Sequence, residues 1–270
     1  MASTSTDDQR ELEKLIAATK ESYRSRANIN TAGVAANVVE DRRKVLDAVV
    51  KAGDQLKAYP AVVDTPYLIW ARPIGILVDS QIEPGNSWAK IEGSHNHGGI
   101  GGFGSFYDTV SFHYFWDNPS PQYYALVNVA STLVTKGFVV ATGNSGYFES
   151  GDVTLNATTT LFLYQWPDEP RLTYQASQQE SMYSAEAHGH VFGPPVVDTT
   201  GVFYEAGVEY TLFPIPPGRR AVFAVGLALK SGMRGSCSTS FDFAGDDNYV
   251  QCPSLVLTIL YDKHPHPPPL

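Results

Sequence analysis

The chain has 270 residues, of which 43% are hydrophobic, 12% aromatic and only 17% charged, and its formal net charge is −9 at pH 7. The apolar fraction is sufficient for a globular core, and few charges combined with 23 Gly and 18 Pro are typical of strand-rich proteins with tight turns. The negative charge repels phosphate, which argues against nucleic acid and anionic membrane surfaces as partners.

The N-terminal sequence lacks a basic stretch followed by an apolar stretch, which argues against a secretory signal. No run of about 18 apolar residues is present, so no transmembrane helix is predicted. The expected location is therefore the cytoplasm, or a particle that the protein reaches by a route not encoded in this sequence.

Residues 1–60 predict a helical N-terminal arm. Thr6 and Gln9 fit a capping box at the start of a first helix. A second helix is predicted from Asn30 or Thr31 to about Ala58, before Pro60. Apolar residues recur at helical spacing in both segments: Leu12, Leu15, Ile16 and Tyr23 in the first, and Val34, Val38, Val45, Val49 and Leu56 in the second.

The apolar stripes of these two helices need a partner, because two such helices bury little surface by themselves. Arg42 lies on the second stripe, and a narrow stripe with one charge favours a contact between subunits. The arm therefore predicts a homo-oligomer, with packing against the chain's own sheet as the open alternative.

Residues 61–262 change to a period of two, which predicts an antiparallel β-sandwich or jelly roll. Alternation is clear at 109–116 and 221–229, and turn clusters divide the domain into an expected eight to ten strands. The polar segment 175–190 is interpreted as a long loop, and 263–270 as an extended Pro/His tail.

Cys237 and Cys252 are the two cysteines of the chain, with 14 residues between them. A disulfide closing this loop would contribute about 3 kcal/mol in the chain-entropy model. Two reduced thiols are the alternative interpretation.

Two histidine pairs predict a metal site. His95 and His97, like His188 and His190, are two residues apart, so in an extended segment the members of each pair point to the same side. Two converging pairs, completed by a neighbouring Glu, would suit a divalent transition metal.

The spacing of His95 and His97 resembles the opening of the cupin metal motif. Cupins carry a Glu three or four residues after the second histidine, whereas this chain has Ile100 and Gly101 at those positions. The resemblance implies a metal-dependent enzyme on a cupin-like jelly roll.

Two other features suit ligand binding. Asp242, Asp246, Asp247 and Asn248 form an oxygen-rich loop of the kind that calcium prefers. Trp88 and Trp166 adjoin turn clusters, where their rings could stack on a sugar, although core packing is the commoner fate of tryptophan.

The sequence contains no G-x-S-x-G, Walker A or H-E-x-x-H motif. We therefore expect a non-enzymatic β-sandwich without a cofactor. It would be a self-assembling subunit or a lectin-like carbohydrate-binding module that uses Trp88, Trp166, Asp246 and Asn248. The alternative is the metal-dependent enzyme that uses the paired histidines.

Overall fold

The computed structural model describes residues 58–98, 102–144, 150–165, 175–201, 203–245 and 247–262. These residues form one short 3-10 helix, Ile74–Ile76, and fifteen strands: β1 (Ala58–Val63), β2 (Leu68–Arg72), β3 (Leu77–Gln81), β4 (Trp88–His97), β5 (Phe103–Asp117), β6 (Tyr124–Lys136), β7 (Phe138–Gly143), β8 (Asp152–Gln165), β9 (Gln175–His188), β10 (Val196–Thr200), β11 (Phe203–Ile215), β12 (Arg220–Arg234), β13 (Cys237–Asp242), β14 (Tyr249–Gln251) and β15 (Leu255–Asp262). The predicted helices of the arm and the predicted tail lie outside the described residues.

The strands form two antiparallel sheets. The large sheet has the order β1-β15-β6-β14-β4-β13-β7-β10, with β11 also pairing with β6 and β3 with β4. The small sheet has the order β2-β5-β12-β8-β9. The prediction of a mainly antiparallel β-sandwich is confirmed, whereas the jelly-roll topology stays a prediction.

One hydrophobic core lies between the sheets. Inward-facing residues of the central strands form a single buried cluster: Val110, Phe112 and Tyr114 of β5, Phe223, Val225 and Leu227 of β12, and Val127, Val129 and Leu133 of β6. Alternate residues of a strand point to opposite faces, so the period of two in the sequence marks these positions.

The boundary of the β domain differs from the prediction. Strand β1 begins at Ala58, in the segment that was expected to end a helix. Pro60 is tolerated there because β1 is an edge strand that pairs only with β15, with Pro60 opposite Thr258.

The prediction of a loop at 175–190 is wrong, because β9 pairs with β8 along most of this segment. Its buried side chains are mainly small, with Ala176, Ala185 and Ala187 inward together with Met182. As an edge strand of the small sheet, β9 carries polar residues between them, so its apolar signal is weak.

Of the two interpretations of the cysteines, the structure has the reduced one, since Cys237 and Cys252 are both buried free thiols. Cys237 lies opposite His97 in the ladder between β13 and β4, whereas Gln251, the neighbour of Cys252, lies opposite Trp88. These positions are nine steps apart along β4, a distance of about 30 Å at ~3.3 Å per residue. A disulfide requires Cα atoms within about 7 Å.

The two sheets differ at their outer faces, the faces that point away from the core. Strand β6 of the large sheet alternates between buried inward residues and more accessible outward ones. In β12 of the small sheet, nine consecutive residues, 221–229, are buried. The centre of the small sheet is therefore buried on both faces. No helix within the described residues has the length and apolar character needed to cross a membrane.

Candidate functional site

An open groove of about 360 Å³ lies on the outer face of the large sheet, where β4 and β14 pair. Ala89 and Val250 are buried inward, so their neighbours along each strand point outward. Gln251 lies opposite Trp88 in this ladder. The groove is lined by Asn86, Trp88, Lys90, Asp247, Asn248, Tyr249 and Gln251, and is called here the Trp88 groove.

The turn between β13 and β14 forms one wall of the groove. The Asp242 carboxylate accepts the backbone N–H groups of Ala244 at 2.8 Å and Gly245 at 2.7 Å. The backbone N–H of Asn248 donates to the carbonyl of Gly245 at 2.8 Å. The N–H groups of Gly245 and Ala244 are the main reason that the pKa of Asp242 is lowered. The bond from Asn248 to Gly245 holds Asn248 beside the groove.

Charge in the groove is compensated locally. Asp247 forms an ion pair with Lys136, and this hydrogen bond is the main reason that the pKa of Asp247 lies below its usual value. Lys90, which lines the groove, lowers the pKa of Asp247 further. The carboxylate is thus ionised at neutral pH with cations next to it.

Two amides contribute most of the uncharged hydrogen-bonding capacity at the rim. Gln251 Nε2 donates to Asn86 Oδ1 at 2.7 Å. An amide side chain can both donate and accept, so this pair can exchange its bond for bonds to a ligand hydroxyl. Together with the half-buried rings of Trp88 and Tyr249, the amides combine apolar surface with oriented polar groups, which is the usual composition of a small-molecule site.

The structure places two of the four predicted ligand-binding residues, Trp88 and Asn248, in this single groove. Trp166 and Asp246 lie outside the described residues. Tyr249 and Lys90 were missed from the sequence. Their signal is their position next to the buried residues Val250 and Ala89, which fixes their side chains outward once the strands are known.

The first histidine pair lies at the end of β4 that is far from Trp88. His95 Nε2 lies 2.5 Å from Asp108 Oδ2, and the ring of His95 stacks on Phe106 with centroids 4.1 Å apart. His97 Nδ1 lies 2.8 Å from the carbonyl oxygen of Gly235. Asp108 is only 3% exposed, and its burial raises its pKa despite the opposing effect of His95.

The second pair has a different environment. His188 contacts Asp152 and Glu186 at the exposed end of β9, at 3.3 Å and 2.9 Å, and the Asp152 hydrogen bond is the main reason that its pKa is raised. His190 is exposed. Strand β9 packs against β7 and β10 of the large sheet, and β13 lies between β7 and β4. At least one strand therefore separates the two histidine pairs.

Within the described part of the chain, no three His, Cys, Asp or Glu side chains are grouped so that they could hold a metal ion. The carboxylates of Asp242 and Asp247, predicted as possible calcium ligands, are engaged by backbone N–H groups and by Lys136, respectively. Metal binding by the four histidines stays a prediction.

Comparison with known proteins gives no matching family model and no matching curated protein. Among solved structures, the chain is similar to the structure of TmCBM61 in complex with β-1,4-galactotriose, at 10% identity, a TM-score of 0.18, and coverage of 73% of this chain and 88% of that one. A structure of infectious bursal disease virus, Gt strain, matches at 10% identity, a TM-score of 0.13, and coverage of 77% of this chain and 42% of that one. At such TM-scores neither likeness defines the fold, which rests on the strand pairing.

Proposed function

We propose that the protein is a non-enzymatic carbohydrate-binding β-sandwich and that a saccharide binds in the Trp88 groove. The observation that carries this proposal is the placement of Trp88 and Tyr249 in one open groove with the amides of Asn86, Asn248 and Gln251.

The chemistry of the groove matches that of a sugar. A pyranose ring has apolar C–H faces, which pack on aromatic rings, and hydroxyl groups, which both donate and accept hydrogen bonds as amides do. The volume of about 360 Å³ falls within the usual range of ligand sites, roughly 300–1,000 Å³. Because Lys136 and Lys90 offset the charge of Asp247, the groove favours an uncharged saccharide.

A glycan array probed with the full chain tests the proposal, followed by titration calorimetry on the strongest hit. Trp88→Ala should weaken binding at least about tenfold, because removal of a central aromatic anchor typically costs more than about 1.4 kcal/mol. The control is Phe103→Ala, which removes an aromatic ring that is 78% exposed and does not line the groove.

Silence across the array, or unchanged affinity in a folded Trp88→Ala variant, would contradict the proposal. Repeating the titration with a chelator separates direct binding by the groove from binding through a divalent cation. Loss of binding in chelator, restored by added metal, would instead favour the paired histidines or the Asp242 turn.

Self-assembly through the N-terminal helices stays a separate prediction, since that segment lies outside the described residues. Size-exclusion chromatography with light scattering on the full chain measures the oligomeric state directly. The metal-dependent enzyme stays the alternative function, and metal analysis of the purified protein tests it.

A further inference from the structure

The outer face of the small sheet is buried although it points away from the core. On β12, Phe223 and Val225 belong to the main core, whereas Val222 and Ala224, between them, belong to a second cluster on the opposite face. The following residues at the centre of this outer face are at most 8% exposed and are called here the covered face: Trp70, Thr109, Ser111, His113, Thr160, Phe162, Tyr164, Val222 and Ala224.

A sheet in a two-layer sandwich has one face on the core and one face in water. Because the residues of the covered face are at most 8% exposed, a third layer must shield them from solvent. The fifteen described strands are all used in the two sheets, and the short helix Ile74–Ile76 contacts β2 and β4. The described strands and the short helix therefore do not supply this layer.

We propose that residues 1–57 of the same chain form this layer, as two helices whose apolar stripes pack on the covered face. Among the segments outside the described residues, the longest others are 166–174 and 263–270, with nine and eight residues. Neither is long enough to cover four strands, whereas the arm carries two stripes that need a partner.

The dimensions of the covered face suit two adjacent helices. Along β5 the covered face runs from Thr109 to His113, which is ~13 Å at ~3.3 Å per residue. The partly buried rings of Tyr107 and Phe115 pack at its two ends and extend the apolar surface to ~26 Å. It spans β2, β5, β12 and β8, which is ~14 Å between the outer strands at ~4.8 Å spacing. Two adjacent helices are ~20 Å wide, and helices of about 20 and 27 residues are ~30 Å and ~40 Å long.

The chain path also favours the arm. Residue 57 precedes β1 directly, and only residues 64–67 separate β1 from β2, the edge strand of the covered face. The arm therefore ends one short strand before the edge strand of the face that it would cover. A helix reaching this edge needs no long connection.

The covered face also presents polar atoms to its cover. Among the described residues, His113 Nδ1 and Thr109 Oγ1 are buried without a hydrogen-bond partner. Buried polar atoms of this kind are usually satisfied, so the covering layer is expected to bring polar groups to them. Arg42, the one charged position on the second stripe, offers donors of the required type.

Trp70 provides a reporter for docking, because it lies on the covered face and is 8% exposed. In the full chain, Trp88→Phe, Trp116→Phe and Trp166→Phe leave Trp70 as the only tryptophan. Acrylamide quenching of its fluorescence then measures how well the covered face is shielded.

Two single substitutions that each add one carboxylate separate docking from charge alone. Val45 lies on the predicted stripe, and Ala36, nine residues earlier, lies about 180° away around a helix of 100° per residue. Val45→Asp should raise the quenching constant about twofold or more, because an unpaired carboxylate is not tolerated in an apolar contact. Ala36→Asp should leave the constant unchanged.

Equal quenching in Val45→Asp, Ala36→Asp and the parent, with circular dichroism showing intact β structure, would overturn the proposal. Shielding that is lost on dilution, together with a dimer by light scattering, would also overturn it and assign the cover to a second copy. If Val45→Asp does not fold, Val45→Ser carries the same comparison with a milder change. None of these outcomes depends on saccharide binding.

Discussion

The outer faces of the two sheets differ in their exposure to solvent. Across the large sheet, outward residues of β4, β6 and β14 are accessible, and Trp88, Lys90 and Tyr249 among them line a groove. At the centre of the small sheet, outward residues of β5, β8 and β12 are buried and mostly apolar or small.

This difference is already present in the strand sequences. β6 reads Tyr-Ala-Leu-Val-Asn-Val-Ala-Ser-Thr-Leu-Val-Thr-Lys, with accessible residues at alternate positions, whereas β12 contains an uninterrupted apolar run from Ala221 to Leu229. Continuous apolar runs are typical of strands that are buried on both faces. One outer face is thus suited to a ligand and the other to packing.

The largest expected change in the free energy of unfolding comes from comparing one lysine substitution at the centre of each outer face. Ala224 lies between His113 and Phe162 on the covered face, and Ala130 lies between Glu209 and Val256 on the large sheet. Ala224→Lys should lower the free energy of unfolding by about 3–5 kcal/mol, because it buries an unpaired ammonium group.

Ala130→Lys is the matched control and should change the free energy of unfolding by no more than about 0.5 kcal/mol, because Ala130 is exposed. Urea denaturation of the two variants measures both values. Equal losses would mean that the two outer faces do not differ in the way described.

A smaller loss of stability is expected when the pH is lowered. Burial of His113 on the covered face lowers its pKa to about 4, from about 6.5 in the unfolded chain. The unfolded chain therefore binds more protons between pH 6.5 and 4, and stability falls as the pH is lowered through this window. The contribution of this one residue is up to about 3 kcal/mol at 1.36 kcal/mol per pH unit.

Urea denaturation at several pH values between 4 and 7 measures this dependence. His113→Gln removes the titration and keeps a group that can bond to Ser111, whose hydroxyl lies 2.9 Å from His113 Nε2. The variant should show a flatter dependence on pH in this window. A slope identical to that of the parent would contradict burial of a neutral His113.

The smallest change in stability is expected when the exposed ion pair of the large sheet is removed. The side chains of Lys136 and Asp247 are 32% and 81% exposed, and exposed ion pairs contribute little to stability. Lys136→Met should leave the melting temperature within experimental error in calorimetry. A clear drop would show that this outer face contributes more to the fold than its exposure suggests.

Several features of the fold followed from particular residues. The alternation of Val110, Phe112 and Tyr114 predicted both the strand and its inward face, since side chains of a strand alternate with a period of two. Trp88 was identified because it adjoins a turn. Strand β9 was missed because its inward face is largely alanine, which has little β propensity.

The candidate site was predicted only in part, because its residues come from segments far apart in the chain. Trp88 on β4 and Tyr249 on β14 become neighbours through ladder pairing, which local periodicity does not specify. The same limit explains why the sequence left open whether the two cysteines form a disulfide. Fourteen residues of separation suggest proximity, yet Cys237 and Cys252 lie near opposite ends of β4.

The sequence by itself determined which residues point inward or outward along each strongly patterned strand, because the inward and outward directions alternate along a strand and apolar side chains avoid water. Only the tertiary structure decided which strands are neighbours, and therefore which outward residues share a groove. Strand order depends on non-local hydrogen bonds between segments whose local patterns are alike, so different pairings satisfy the same periodicity until the whole core is packed.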